Sequence, residues 1–104
     1  MTSMIQFDDE VSRQVEAVYT TADIVEQRQA TRQLLDLRPG EDVLDIGSGP
    51  GFLAAEMAEA VGPSGTVHGV DPSEQMRALA ARRDPAAPAA PVTIGSGEAT
   101  ALPF

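Results

Sequence analysis

One stretch of the sequence, residues 42–58, constrains the fold of the chain more than any other. It opens with an apolar segment that contains one internal acid, continues through a turn rich in glycine, and ends in a segment typical of a helix. The N-terminus of such a helix offers unpaired N–H groups and the positive end of its dipole. Because glycines have no Cβ, they let the backbone turn tightly and let a ligand approach it. The stretch therefore predicts a strand, a glycine loop and a helix that together hold an anionic or polar ligand.

The spacing of the glycines narrows the choice of ligand. Gly47, Gly49 and Gly51 form the pattern G-x-G-x-G, whereas a dinucleotide-binding turn would have its third glycine at position 52, where Phe52 stands. A nicotinamide-dependent oxidoreductase is therefore disfavoured. Asp45, two residues before the first glycine, suits a cationic ligand better than a pyrophosphate. The alternative is a strand-to-helix turn whose glycines serve geometry only.

Two more strands and the helices between them follow the glycine loop. The predicted elements are a loose end over 1–7, helices over 8–19 and 22–37, a strand over 42–46, a helix over 51–61, a strand over 66–70, a helix over 71–83, a surface connection over 84–91 and a strand over 91–95. This alternation predicts an α/β fold with a βαβαβ unit of parallel strands. Right-handed crossovers give the strand order 3-2-1 and place both crossover helices on one face of the sheet.

Apolar residues at helical spacing mark the faces that we expect to be buried. These residues are Val11, Val15, Val18 and Tyr19; Ile24, Val25, Leu34, Leu35 and Leu37; Leu53, Ala54, Met57, Ala58 and Val61; and Met76, Leu79 and Ala80. The first strand is nearly all apolar apart from Asp45, which is typical of a strand covered on both faces.

Asp71 is the second candidate functional residue. It ends the second strand, twenty positions after Gly51, and an acid at that spacing accepts hydrogen bonds from both hydroxyls of a ribose. The alternative is specific, because Asp71, Pro72 and Glu74 also form the pattern of a helix N-cap, a proline at the first helical position and an acid two positions later. Together with the glycine loop, the ribose role is favoured.

The segment from Asp45 to Gly51 resembles motif I of the class I S-adenosylmethionine-dependent methyltransferases. Gly97-Glu98-Ala99, followed by Leu102-Pro103-Phe104, resembles the small-molecule branch that includes the quinone-biosynthesis methyltransferases. The resemblance covers roughly residues 39–104 and implies a Rossmann-like fold, S-adenosyl-L-methionine as cofactor and methyl transfer to a small-molecule acceptor. It also implies that Glu98 accepts the adenine amino group and that the Ala99 N–H meets a ring nitrogen.

Tyr19 and Met76 each have two interpretations. Some members of that branch close an aromatic residue over the methionine end of the cofactor where Tyr19 stands, but Tyr19 also continues a helix stripe. Met76 lines the adenine pocket or belongs to the core. The candidate cofactor-binding residues are Tyr19, Asp45, Gly47, Ser48, Gly49, Gly51, Asp71, Pro72, Met76, Glu98 and Ala99. No catalytic base is identified, because the lone His68 is better explained by packing.

Composition excludes several other functions. The formal net charge is −9, and the seven cationic residues are scattered arginines, whereas nucleic-acid binding relies on basic clusters. The absence of cysteine rules out disulfides and thiolate metal sites, and no other metal-binding constellation is present. The acidic N-terminus without an apolar run predicts no signal peptide or membrane span, and hence a cytoplasmic location.

The predicted organisation is an N-terminal helical segment, 1–38, followed by the cofactor-binding half of a methyltransferase domain, 39–104. The fold is expected to be incomplete, because the sequence stops after the third strand. Residues 42–46 would then form an exposed edge with the composition of a central strand, so we expect self-association or pairing with a missing C-terminal half. The alternative function is a non-catalytic ligand-binding or assembly module that completes its sheet with another chain.

Overall fold

The computed structural model describes residues 2–97, with side chains from residue 10 onward. Seven elements follow one another along the chain: α1 (Thr2–Tyr19), α2 (Ala22–Leu35), β1 (Asp42–Ile46), α3 (Phe52–Val61), β2 (Thr66–Val70), α4 (Glu74–Ala81) and β3 (Val92–Gly95). They divide into two compact units, Met1–Leu34 and Leu35–Phe104. Within the described part of the chain, no helix is both long and apolar enough to cross a bilayer.

The first unit contains α1 and most of α2. α1 begins at Thr2, so the expected loose end over 1–7 is wrong; this segment contains neither glycine nor proline, the residues that most disfavour a helix. The hydroxyls of Thr20 and Thr21 donate to the carbonyl oxygens of Glu16 and Val18, at 2.6 and 3.0 Å. They thereby satisfy acceptors that the last turn of α1 leaves open.

α2 buries less than its apolar residues predict. It ends at Leu35, because Asp36 adopts a left-handed conformation with φ 48°. None of its residues is buried; Leu34 is 88% exposed and Leu35 is 50% exposed, and Ile24 and Val25 are half-buried. Val18 of α1 is also exposed. The predicted burial of these residues is therefore wrong, since a helical period alone does not specify a partner surface.

The second unit is built on a three-stranded parallel sheet in the order β1-β2-β3, which is the predicted order read from its other edge. The register pairs Leu44 with His68 and His68 with Thr93. Strong turn residues between Val61 and Thr66 place the second strand where the sequence predicts it. The Rossmann-like βαβαβ prediction is therefore confirmed.

α3 packs on one face of this sheet and forms the core with it. The core residues are Ala54, Met57, Ala58, Val61, Val67 and Ala90, with Leu37, Val43 and Leu53 packed against them. β1 is not covered on both faces as its composition predicts, because Leu44 is 43% exposed and Ile46 is 45% exposed. In α4, Leu79 and Ala80 are buried, whereas Met76 is only half-buried.

Candidate functional site

The glycine loop and Asp71 meet at the carboxyl end of the sheet. The backbone N–H groups of Gly47 and Ser48 both donate to the carbonyl oxygen of Val70, at 2.8 and 2.9 Å. The N–H of Asp71 donates to the carbonyl oxygen of Gly95, at 3.1 Å. Three successive strand ends are thus connected by backbone hydrogen bonds. In open parallel sheets, the ligand-binding crevice lies at this end of the strands.

Glycine is required at several positions in the loop. Gly47, Gly49 and Gly51 have φ angles of 73°, 57° and 88°, which lie in the left-handed region that other residues rarely adopt. At Gly51 a Cβ would also lie 2.9 Å from the Cβ of Ala80, so α4 approaches the loop closely from one side. At Gly47 a Cβ would meet no atom of the described structure within 4 Å. The loop is therefore packed against α4 at Gly51 and open at Gly47.

Asp71 links the loop to the start of α4. It is 9% exposed, and its Oδ2 accepts a hydrogen bond from the Gly49 N–H at 2.9 Å, while its Oδ1 accepts one from the Ser73 N–H at 2.9 Å. An ionised carboxylate has about four acceptor positions. Two therefore remain for donors from a ligand, such as the two hydroxyls of a ribose.

Asp71 does not cap α4, so the alternative interpretation of this residue is wrong. The N-cap is Ser73, whose hydroxyl accepts a hydrogen bond from the Met76 N–H at 3.2 Å. Ser73 has the extended backbone conformation of an N-cap, with φ −83° and ψ 117°. Pro72 consequently precedes the helix instead of occupying its first position. α4 begins three residues later than the sequence predicts.

Two buried polar atoms beside the loop have no hydrogen-bond partner among the described residues: Asp45 Oδ2 and Ser48 Oγ. Burial raises the pKa of the Asp45 carboxyl above its ordinary value, and the negative charge of Asp71 raises it further. Folded proteins rarely leave buried polar atoms unpaired, and such atoms often mark functional sites. A ligand with a hydrogen-bond donor and a positive charge would satisfy both atoms and lower the electrostatic cost.

These residues fit S-adenosyl-L-methionine, the cofactor implied by the sequence resemblance. Its sulfonium and amino group carry positive charge, which would offset the burial and the neighbouring Asp71 charge that raise the pKa of Asp45. Its ribose supplies two hydroxyls for the acceptor positions left on Asp71. It has no phosphates, which agrees with the two acids, Asp45 and Asp71, at the strand ends. Asp45, Ser48, Asp71 and the loop glycines are therefore the residues that would hold it.

The remaining predicted site residues are Tyr19, Pro72, Met76, Glu98 and Ala99. Pro72 is exposed, and Met76 is half-buried on α4. Tyr19 belongs to the first unit, where its carbonyl oxygen accepts a hydrogen bond from Arg28 Nη1 at 2.6 Å, so its contact with the cofactor stays a prediction. Glu98 and Ala99 lie outside the described residues, and their adenine contacts also stay predictions.

Arg77 in α4 and Arg83, two residues past its end, contact the site, although no motif in the sequence marks them. Arg77 Nη1 donates to the carbonyl oxygen of Asp71 at 2.8 Å. Arg83 Nε donates to the carbonyl oxygen of Pro50 at 3.1 Å, and its guanidinium lies 3.6 Å from the centre of the Phe52 ring. Their helical spacing after Asp71 is a weak signal, since only the fold shows which backbone they reach. His68, in the middle of β2, places Nδ1 2.7 Å from Thr93 Oγ1.

Comparison with known proteins supports this interpretation of the site. A family model described as a methyltransferase domain matches residues 43–104. Nocamycin O-methyltransferase of Saccharothrix syringae is 47% identical over 68 residues, which are 62% of this chain and 24% of that protein. Demethylmenaquinone methyltransferase of Bacillus cytotoxicus is 36% identical over 77 residues, 74% of this chain and 32% of that protein.

A solved structure agrees with the fold. The crystal structure of an S-adenosylmethionine-dependent methyltransferase from Aquifex aeolicus matches with a TM-score of 0.62 and 26% identity, over 74% of this chain and 41% of that one. The chain spans about a quarter to a third of the length of the two sequence relatives. The matched family region includes the glycine loop, Asp71 and the three strands that position them. The chain therefore belongs to the methyltransferase domain family.

Proposed function

We propose that this chain is the cofactor-binding portion of an S-adenosylmethionine-dependent methyltransferase that acts on a small molecule. The observation that carries the proposal is the arrangement around the glycine loop. Asp71 bonds to the Gly49 N–H and keeps acceptor positions available, and the buried Asp45 Oδ2 has no partner in the described structure. Asp71 would accept hydrogen bonds from the two hydroxyls of the ribose, and the Asp45 carboxylate would face the cationic end of the same cofactor, S-adenosyl-L-methionine.

Each residue of the site has a distinct task in this proposal. Asp71 holds the ribose diol and, through Gly49, the shape of the loop. Asp45 provides the negative charge for the cationic end. When bound, the cofactor supplies a methyl group on a sulfonium, which is a good leaving group. The protein then contributes mainly alignment and the exclusion of water; no described residue is assigned as a base.

The names of some relatives support a small-molecule acceptor. Two are named for nocamycin and for demethylmenaquinone, whereas two others, matched over 49 and 39 residues, and one solved structure are protein-L-isoaspartate O-methyltransferases. The Leu102-Pro103-Phe104 segment after Gly97-Glu98-Ala99, which resembles the quinone-biosynthesis branch, favours the small molecule. The cytoplasmic location stays a prediction.

Titration calorimetry tests the cofactor site. We expect S-adenosylhomocysteine to bind and NAD not to bind. Asp71→Ala should weaken S-adenosylhomocysteine binding by about 1–3 kcal/mol, because hydroxyl donors lose a charged acceptor. Asp84→Asn, a change at an exposed acid of the connection after α4, is the control and should leave binding unchanged. Tighter binding of NAD would contradict the proposal.

A second ligand separates the two tasks of Asp71, which also accepts the Gly49 N–H. An S-adenosylhomocysteine analogue without the 3′-hydroxyl should bind the unaltered chain more weakly than S-adenosylhomocysteine does. The Asp71→Ala variant should bind the two compounds equally, because its ribose acceptor is already gone. If both proteins lose the same affinity on removal of the hydroxyl, Asp71 shapes the loop and does not bind the ribose.

An assembly module is the second candidate function, and one observation favours it. β1 pairs only with β2 among the described strands, and Leu44 and Ile46 are 43% and 45% exposed. An apolar strand at the edge of a sheet is a template for pairing with another chain. We propose on this basis that β1 pairs with a second copy of this chain or with another chain. Transfer of a labelled methyl group to an acceptor would favour the enzyme over a purely structural module.

A further inference from the structure

Arg83 contacts the glycine loop from the side of α4. Its Nε donates to the carbonyl oxygen of Pro50 at 3.1 Å, and its guanidinium lies 3.6 Å from the centre of the Phe52 ring. Pro50 lies inside the loop, and Phe52 is the first residue of α3. One side chain therefore holds the chain on both sides of Gly51.

The loop needs such a contact because of its glycines. Gly49 and Gly51 both have left-handed φ angles, and glycine loses more conformational freedom than any other residue when its backbone is fixed. If this freedom had to be lost during binding, it would weaken the affinity for a ligand. A contact that orders the loop before the ligand arrives removes part of that loss.

Arginine is well suited to this position. Its planar guanidinium stacks on an aromatic ring and donates a hydrogen bond in the plane of the same group. Arg83 is half-buried, and Pro50 is almost fully buried, so the hydrogen bond is partly shielded from water. Gly51 also packs against Ala80, which lies in α4 three residues before Arg83, and a Cβ at Gly51 would lie 2.9 Å from the Cβ of Ala80. Ala80 and Arg83 thus pack against the loop from the same side.

We propose that Arg83 is a positioning residue that holds the glycine loop in its ligand-binding shape. It acts through Pro50 and Phe52 and not by touching the cofactor. The proposal rests on the proposed function, because the ligand whose affinity it raises is S-adenosyl-L-methionine. The ordering of the loop itself is a property of the protein without ligand and is measured separately.

The first measurement is amide hydrogen exchange of the loop without ligand. In Arg83→Gln, the amides of Gly49 and Gly51 should exchange roughly three- to thirty-fold faster than in the unaltered chain, the effect of losing one charged hydrogen bond and one stacking contact. Arg82→Gln, the matched control at the exposed neighbouring arginine, should leave these rates unchanged. Equal rates in the two variants would overturn the proposal.

The second measurement is the Kd of S-adenosylhomocysteine, well below the melting temperature of each variant. Arg83→Gln should raise the Kd by roughly three- to thirty-fold, and Arg82→Gln should leave it unchanged. Phe52→Leu should raise the Kd as well. In the double variant the Kd should rise by less than the product of the two single increases, because both substitutions remove the same contact. A lower melting temperature with an unchanged Kd would show a merely structural role and overturn the proposal.

The two measurements also separate this proposal from the proposed function. If the unaltered chain does not bind S-adenosylhomocysteine, the proposed function fails, while the exchange rates still decide whether Arg83 orders the loop. If the unaltered chain binds and Arg83→Gln binds equally well, the positioning role fails and the proposed function stands.

Discussion

Replacing Asp45 with asparagine should make the fold more stable and the cofactor site weaker. Asp45 Oδ2 is buried without a partner among the described residues, and an unsatisfied buried group costs about 1–3 kcal/mol. The residue as a whole is half-buried, and the new amide keeps an oxygen or nitrogen in the same place. We therefore expect Asp45→Asn to raise the free energy of unfolding at pH 7 by about 1 kcal/mol, at the lower end of that range.

The increase in the free energy of unfolding that Asp45→Asn causes should depend on pH, in a direction set by the pKa of Asp45. Burial, followed by the negative charge of Asp71, raises the pKa of Asp45 in the folded state. The folded state therefore favours the protonated form, and the stability present below the unfolded pKa of about 3.9 is lost as the pH rises through the folded pKa. The advantage of Asp45→Asn should be full above the folded pKa and should shrink as the pH falls toward the unfolded value.

Urea unfolding followed by circular dichroism, at several pH values, measures this difference. Asp84→Asn, at an exposed position, is the control and should change the free energy of unfolding little at any pH. Calorimetry should show that Asp45→Asn weakens S-adenosylmethionine binding by roughly tenfold, because a neutral amide attracts a cation less than a carboxylate does. A variant that is less stable than the unaltered chain at pH 7, or a gain that does not vary with pH, would refute the reasoning.

Two further predictions concern the loop and the sheet edge. Gly51→Ala should lower the free energy of unfolding by more than Gly40→Ala: both positions have positive φ, 88° and 89°, which costs about 1–2 kcal/mol for alanine, but only at Gly51 would the Cβ press on Ala80, whereas at Gly40 it would lie 3.5 Å from Ser64 Oγ. Equal losses in thermal unfolding would show that the close approach of α4 is unimportant. Light scattering at micromolar concentration should show a dimer or larger assembly that replacing Leu44 with lysine reduces, since β1 exposes apolar surface. A monodisperse monomer would contradict self-association.

The sheet could be predicted from the sequence because its local signals agree with one another. β1 and β2 have the predicted bounds, and α3 begins within one residue of its predicted start. Each of these elements is bounded by glycines or prolines, whose backbone preferences are strong and local. Right-handed crossovers then leave one order for three parallel strands. The positions of the glycine loop and of Asp71 at the strand ends follow from that order.

Burial was harder to predict, because it depends on what covers a surface. Leu34 and Leu35 are apolar and helical, as predicted, and yet exposed. In β1 the residues alternate between exposed and half-buried, and the apolar Leu44 and Ile46 are among the exposed ones. A residue's own type and spacing show which face of an element could be covered, but not whether another element lies against it. The predicted start of α1 is wrong for a different reason, because the apolar stripe that predicts this helix begins at Val11, whereas nothing in residues 2–7 disfavours a helix.

The start of α4 shows how a local pattern can allow two structures that only the fold distinguishes. Asp71 and Ser73 are both good N-cap residues, and Pro72 tolerates the first position of a helix. The carboxylate of Asp71 is drawn to the Gly49 N–H, which belongs to a loop twenty-two residues earlier, and its other oxygen accepts the Ser73 N–H. With Asp71 held there, Ser73 becomes the cap. The same carboxylate that the sequence allowed as a cap is thereby placed at the strand end, near Asp45, whose Oδ2 has no partner among the described residues, and there we propose that it binds a ribose.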